Sequence, residues 1–177
     1  PNLTVRNIVV GSDGSLFIGL EEYRIEAHTS YSSNGGWRTY YTYHYEDILG
    51  AKVNKNGNLE WLRKLPKKQA GTNGRGTMGY KLVNDETGFY FLFLDNKKNM
   101  ELAEDEAPKN HTDGFGGQLV VAKIDNAGNI SKEIVFDTRE EEVKLFPAEF
   151  KRINGNQFID RKKMKRGDFQ PLLITVN

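Results

Sequence analysis

The sequence has no cysteine and only three histidines among its 177 residues. Without cysteine, the chain has no disulfide, no thiolate nucleophile and no cysteine-ligated zinc. Its histidines, His28, His44 and His111, lie too far apart in the sequence to indicate a metal triad. No apolar run approaches the ~20 residues that a membrane-spanning helix requires. Thiol chemistry and a transmembrane helix are therefore not expected.

An excess of charge of one sign is also lacking. The 25 basic and 24 acidic residues leave a formal net charge of +1, whereas nucleic-acid binders usually show a stronger basic bias. A basic cluster does run from Arg161 to Arg166. We interpret it as edge and turn residues whose charge discourages strand pairing, with contact to an anionic partner as the alternative. No nucleic-acid partner is predicted.

The chain is long enough, with 37% hydrophobic residues, to bury one substantial core. It opens at Pro1 without a methionine or a recognisable signal peptide. We therefore expect a processed product or a fragment rather than a nascent N-terminus.

A strand-turn-strand pattern occurs twice, in residues 49–66 and 119–136. The two copies share four residues at an offset of 71: Ala51, Lys52, Gly57 and Asn58 match Ala122, Lys123, Gly128 and Asn129. A third copy begins at Leu172, and the sequence ends at the position where its turn would start. Repetition of one unit at a fixed spacing is typical of β-repeat proteins.

A second hairpin pattern precedes each of these copies, in residues 8–20, 81–94 and 151–164. Each has a polar residue followed by glycine at its centre, as in Asp13-Gly14, Thr87-Gly88 and Asn154-Gly155, which is typical of a tight turn. Two hairpins per repeat predict four strands per repeat, as in a propeller blade. The sequence therefore predicts an all-β fold of antiparallel four-stranded repeats, covering residues 1–66, 79–137 and, in truncated form, 143–177.

The motifs DGSLFIGL at residues 13–20 and NGNLEW at residues 56–61 resemble those of β-propeller proteins built from DG-turn blades. The segments GYKLVNDETGFYFLFLDN and LVVAKIDNAGN are similar to the closing blades of uncharacterised surface or periplasmic proteins of the Bacteroidetes. The resemblance implies a partial propeller of about two and a half blades in a single domain, 1–177. It also implies the periplasm or cell surface of a bacterium as the location. It identifies no catalytic residue, because propellers host many functions.

An incomplete ring leaves strand edges unpaired, which invites pairing with another chain. We therefore expect the remaining blades of a larger propeller, or a separate protein partner, to cover these edges. One strand stands out within the predicted blades. Residues 89–94 are continuously apolar, which predicts a strand that is buried on both faces.

Three segments are predicted to be loops: residues 29–38, 70–79 and 95–117. Because loops on a rigid scaffold usually carry recognition, we expect them to supply most contacts with a partner. The predicted ligand-binding residues are Trp37, Tyr41, Tyr43, Arg75 and Phe115. Aromatic rings with a polar tip suit a carbohydrate or protein surface. The alternative is that these aromatics pack between blades.

The sequence favours a non-enzymatic binding or scaffold segment that engages a protein or glycan partner. One alternative is a propeller hydrolase or lyase that acts on glycans with a carboxylate pair. Another is a calcium-stabilised adhesion module, because residues 95–117 are rich in carboxylates and calcium prefers oxygen ligands. The carboxylates concerned are Asp95, Glu101, Glu104, Asp105, Glu106 and Asp113. No other cofactor is expected.

Overall fold

Strand β7 (Gly88–Asp95) lies at the centre of the fold, and all eight of its residues are buried. Its odd-numbered residues from Phe89 to Phe93 belong to one hydrophobic cluster, and its even-numbered residues from Tyr90 to Leu94 belong to another. Side chains alternate between the two faces of a strand. The prediction of a strand buried on both faces is therefore confirmed, and β7 separates two cores.

The computed structural model describes residues 2–72, 77–112, 116–154, 157–164 and 168–175. These residues form fourteen strands, which are grouped into three sheets, and two short 3-10 helices at Lys97–Asn99 and Pro147–Glu149. Within the described ranges, no helix is long and apolar enough to cross a membrane.

The first sheet contains a meander of four antiparallel strands in chain order. Its strands are β1 (Asn2–Val10), β2 (Leu16–Ser32), β3 (Gly36–Val53) and β4 (Leu59–Leu65). Two short strands extend it. Strand β5 (Gln69–Thr72) pairs antiparallel with the middle of β3, and β8 (His111–Thr112) pairs parallel with β5.

The middle sheet contains four antiparallel strands in the order β10-β9-β7-β6. Its other strands are β6 (Lys81–Asp85), β9 (Gln118–Asp125) and β10 (Ile130–Asp137). The third sheet is built around one central strand, with two strands on one side of it and one on the other. It comprises β11 (Val143–Lys144), β12 (Lys151–Asn154), the central β13 (Gln157–Met164) and β14 (Phe169–Thr175).

The three sheets pack face to face. Phe17, Ile48 and Trp61 of the first sheet share a core with Phe91 and Ile124 of the middle sheet. The opposite face of the middle sheet shares a second core with the third sheet. The structure is therefore all-β with antiparallel sheets, as predicted. The sheets of the described residues do not close into a ring.

The two hairpin turns that the sequence aligned have matching geometry. The Gly57 amide donates to the Asn54 carbonyl oxygen at 2.9 Å, and the Gly128 amide donates to the Asp125 carbonyl oxygen at 3.0 Å. Both glycines have positive φ, 84° and 88° respectively, which glycine adopts without a Cβ clash. The prediction of a hairpin at each site is confirmed.

The prediction of a loop at residues 29–38 is wrong. Strand β2 continues to Ser32, β3 begins at Gly36, and only the turn between them lies outside a strand. Cross-strand pairs such as Thr29 with Thr39 hold the ribbon together, although its serine, asparagine and glycine content is typical of loops. The other two predicted loops also contain short strands, β5 and β8, so each is a loop only in part.

Candidate functional site

The longest hairpin of the first sheet projects beyond its neighbours. Strand β1 pairs with β2 only as far as Tyr23, and β5 pairs with β3 only from Thr42 to Tyr45. Residues 24–44 therefore form a projecting ribbon, which we call the arm, and its distal part, residues 27–41, is two-stranded. At ~3.3 Å per residue the arm is about 30 Å long. Among the described strands, only β5 pairs with it, at residues 42–44.

One side of the arm is aromatic and uncharged. Residues directly opposite each other in an antiparallel pair share a face, and the pairs Tyr31 with Trp37, Ala27 with Tyr41 and Ile25 with Tyr43 lie on the same side. We call this side the aromatic face. Its members are Ile25, Ala27, Thr29, Tyr31, Trp37, Thr39, Tyr41 and Tyr43.

The aromatic face is open to solvent. The most exposed side chains are Trp37, with 73% of its area accessible, and Tyr31, with 66%, and Ile25 and Tyr41 are also exposed. The rings of Tyr31 and Trp37 meet edge to face, with centroids 5.4 Å apart and planes inclined at 63°. Such a pair presents a corrugated surface rather than a flat platform.

The opposite side of the arm is charged and internally paired. The Nε2 atom of His44 lies 3.1 Å from a carboxylate oxygen of Glu26, and Arg24 pairs with both Glu26 and Glu46. Hydrogen bonding from Arg24 lowers the pKa of the Glu26 carboxyl. These ion pairs and Arg38, which lies opposite Ser30, are all on this side, so the aromatic face has no charge.

The base of the arm is anchored by a buried ion pair. The Lys67 ammonium donates to Glu21 Oε1 at 2.9 Å, and Glu21 Oε2 accepts from Arg6 Nε at 3.0 Å. The Arg6 guanidinium also lies over the rings of Tyr23 and Tyr45, 5.1 and 5.7 Å from their centroids. Burial raises the pKa of the Tyr45 hydroxyl to about 12. This cluster joins β1, β2 and β3 at the point where the arm begins.

Three of the five predicted binding residues come together on the arm. Trp37, Tyr41 and Tyr43 alternate along β3 and therefore share the aromatic face. Arg75 and Phe115 lie outside the described residues. The sequence prediction missed Ile25 and Tyr31, which β2 contributes. Their alternation with polar residues was a signal, but their partners on β3 depend on the register of the hairpin.

Carboxylates line a second feature, a cleft of about 280 Å³ beside the base of the arm. Burial raises the pKa of the Glu22 carboxyl, and the negative charges of Glu46 and Asp47 raise it further. The side chains of Lys64 and Lys68 also line the cleft. A cleft with a carboxyl group of raised pKa is the type of site in which general acids occur.

A third polar group is enclosed within the fold. Asp95 Oδ1 accepts from the Asn99 side chain at 2.7 Å, and Asn99 in turn binds the backbone of Lys109. Asp95 and the neighbouring His111 are both buried, and each has one side-chain atom without a hydrogen-bond partner. Within the described ranges, no cluster of three acidic or histidine side chains could hold a metal ion.

Comparisons of the chain with protein-family models, with curated proteins and with solved structures found no match.

Proposed function

We propose that this chain is a non-enzymatic binding and scaffold segment of a β-propeller-type protein, in which the stacked sheets hold out the arm to a partner. The observation that supports it is the aromatic face, where Trp37 and Tyr31 are exposed side by side on the uncharged side of the arm. Tryptophan and tyrosine are the residues most enriched at binding hot spots. The bacterial periplasm or cell surface remains the proposed location, on the resemblance of the motifs alone.

A protein partner suits this face better than a glycan. Sugar rings stack best on flat, exposed ring faces, whereas the rings of Tyr31 and Trp37 are inclined to each other. Both strands of the arm also have unpaired edges that could accept an extended peptide as an additional strand. The partner would therefore be an extended segment with apolar side chains that pack between the aromatic rings.

Tyr40 and Tyr41 provide a matched test, because they are adjacent, equally exposed at 46%, and on opposite sides of the arm. The probe is a displayed library of extended random peptides, selected on the 177-residue chain. We expect Tyr41→Ala and Trp37→Ala to weaken binding of the selected peptides by about 10-fold or more. Tyr40→Ala should change the affinity by less than about twofold.

The outcomes separate the two kinds of partner. If the selected peptides bound all three variants equally, or if the selection gave no peptide, the proposal that the arm binds a protein would be contradicted. The glycan test is electrophoresis in gels that contain a neutral β-glucan or galactomannan. Slower migration of the wild-type chain, but not of Trp37→Ala, would instead indicate a glycan partner.

Glycan hydrolysis is the second candidate, and the cleft that contains Glu22 favours it. The raised pKa of Glu22 next to Glu46 matches the requirement of a glycosidase for one protonated carboxyl and one carboxylate. Release of reducing sugar from a polysaccharide panel tests this candidate. Activity that Glu22→Gln abolishes while circular dichroism is unchanged would support it, and the absence of activity on every polysaccharide would reject it.

A further inference from the structure

The first sheet has a second apolar face, on the side away from the middle sheet. Phe17, Ile48 and Trp61 point into the shared core, so the residues that alternate with them point outward. We call this side the outer face. It consists of twelve aliphatic residues: Leu3, Val5, Ile8, Val10, Leu16, Ile18, Leu20, Leu49, Ala51, Val53, Leu59 and Leu62.

The outer face is uncovered. Its members on the outer strands β1 and β4 are exposed, and they include Ile8 at 64% and Leu62 at 49%. Charged groups border the face at both ends: Glu22 lies opposite Leu3 and Lys64 opposite Leu49 at one end, and Asp13 and Lys55 lie in the turns at the other end. A sheet with one solvated face normally alternates apolar and polar residues. The first sheet instead has apolar residues on both faces, as in a sheet that is covered on both sides.

The size of the outer face matches a stable interface. Four strands ~4.8 Å apart, each contributing seven or eight residues at ~3.3 Å, span a plane on the order of 500 Å². The largest apolar patch of a typical monomer measures roughly 300–600 Å² and often has a function. Because side chains corrugate the plane, the accessible area approaches the roughly 800 Å² per partner of a standard interface.

We propose that the outer face packs against the outer face of a second copy of this chain. Packing of one sheet on another occurs twice within the chain, on the two faces of the middle sheet. The proposed interface would therefore repeat a mode of packing that the chain already uses, with the two sheets aligned about 30° apart. It involves a different surface from the arm, so it does not depend on the binding role proposed for the arm.

Pairing of two outer faces is favoured over contact between an outer face and the third sheet. The far side of the third sheet is mixed, since Lys151 lies opposite Ile159, which in turn lies opposite Leu173. If the outer face of one copy packed on the third sheet of the next, each assembly would still have one free outer face and one free third sheet. Further copies would then add to form a ring or a filament. An interface between two identical faces closes with two copies and leaves neither exposed.

Lysine substitutions at exposed positions of the outer face test the proposal. Light scattering after size-exclusion chromatography should give the wild-type chain a mass twice its 20.2 kDa. Ile8→Lys and Leu62→Lys, each made singly, should shift the mass to that of one chain. Val135→Lys is the matched control, because Val135 is an exposed aliphatic residue on a strand of the middle sheet. It should remain dimeric.

A second measurement does not depend on disrupting the interface. The chain has no cysteine, so a Leu62→Cys variant carries an environment-sensitive fluorophore at one position only. We expect its emission to shift to shorter wavelength as protein concentration rises, whereas a labelled Val135→Cys variant should not change. A wild-type chain that stays monomeric at all concentrations would overturn the proposal and leave a sheet from another polypeptide as the occupant. A dimer that neither lysine variant dissociates would also overturn it.

Discussion

Lys67 is a fully buried ammonium group, and three oxygen atoms surround it. It donates to Glu21 at 2.9 Å, to the Tyr45 carbonyl oxygen at 3.1 Å and to the Gln69 side chain at 3.1 Å. Gln69 also donates to the carbonyl oxygen of Leu94 in the middle sheet, at 2.7 Å. Lys67 therefore connects β2, β3 and β5, and through Gln69 it links the first sheet to the middle sheet. A buried charge is tolerated only where its partners are complete.

Replacing Lys67 with methionine should destabilise the fold by about 3–5 kcal/mol, because Glu21 would stay buried and keep only Arg6 as its charged partner. Urea denaturation measures the change in the free energy of unfolding. The double variant Glu21→Leu/Lys67→Met removes both buried charges and should recover most of the loss. If Lys67→Met alone lowered the free energy of unfolding by less than about 1 kcal/mol, water would have to reach the site.

Asp95 and His111 have buried side chains whose pKa values are shifted in opposite directions. Burial raises the pKa of the Asp95 carboxyl to about 6, although its hydrogen bonds with Asn99 and Asn96 and the charges of Lys132 and Lys67 oppose the shift. Burial and then the charge of Lys67 lower the pKa of the His111 imidazole to about 4. At neutral pH Asp95 is charged, at a cost in stability, and His111 is neutral.

These shifts have opposite effects on stability. Between the unfolded pKa of 3.8 and about 6, folded Asp95 holds a proton that the unfolded chain releases, so stability falls as pH rises. Between about 4 and the unfolded value of 6.5, the unfolded chain holds a proton on His111 that the folded chain lacks, so stability rises with pH. In the wild-type chain the two contributions largely cancel.

Substitution of either residue should reveal the contribution of the other. In Asp95→Asn, stability should rise by about 3 kcal/mol between pH 4 and 6.5, and in His111→Gln it should fall by about 3 kcal/mol between pH 4 and 6. Urea titrations at several pH values measure both slopes. Slopes of the same sign in the two variants would contradict the assigned shifts.

At the scale of single elements, β7 could be predicted from the sequence, and residues 29–38 in the distal part of the arm could not. The run from Phe89 to Leu94 is apolar at every position, and burial on both faces is the simplest way to accommodate it. The distal part of the arm is rich in serine, asparagine and glycine, and cross-strand partners that the local sequence does not reveal stabilise it there. Trp37, Tyr41 and Tyr43 could be selected as aromatics beside a predicted loop, whereas the exposure of Trp37 and Tyr41 depends on how the hairpin lies in the fold.

The two matching turns differ in their surroundings, which gives a paired prediction. A Cβ at Gly57 would meet nothing within 4 Å, whereas a Cβ at Gly128 would lie 3.0 Å from the Trp61 ring. Gly57→Ala should cost about 1–2 kcal/mol, from the positive φ alone. Gly128→Ala should cost more, because the turn must also move away from Trp61.

Trp61 holds the turn at Gly128 in place, since its indole N–H donates to the Asn126 carbonyl oxygen at 3.1 Å. Free energies of unfolding of the two alanine variants measure the difference. Equal losses would show that the turn shifts freely and that Trp61 does not restrain it.

In the molecule as a whole, stability is concentrated in the middle sheet, which lies between the other two. Strands β7 and β9 pair on both edges and are covered on both faces. The arm is a single-layer ribbon whose aromatic face is exposed, and isolated two-stranded ribbons are only marginally stable. Local opening should therefore cost little free energy in the arm and close to the global value in β7.

Hydrogen exchange followed by mass spectrometry tests this gradient directly. Peptides from residues 24–41 should exchange several orders of magnitude faster than peptides from β7 and β9. The outer face adds a concentration dependence, because a second copy would slow exchange in β1 and β4 without changing the arm. Protection of the arm equal to that of β7 would mean that the ribbon is covered within the chain and is not free to bind a partner. If the protection of β1 did not depend on protein concentration, a second copy would not be what covers the outer face.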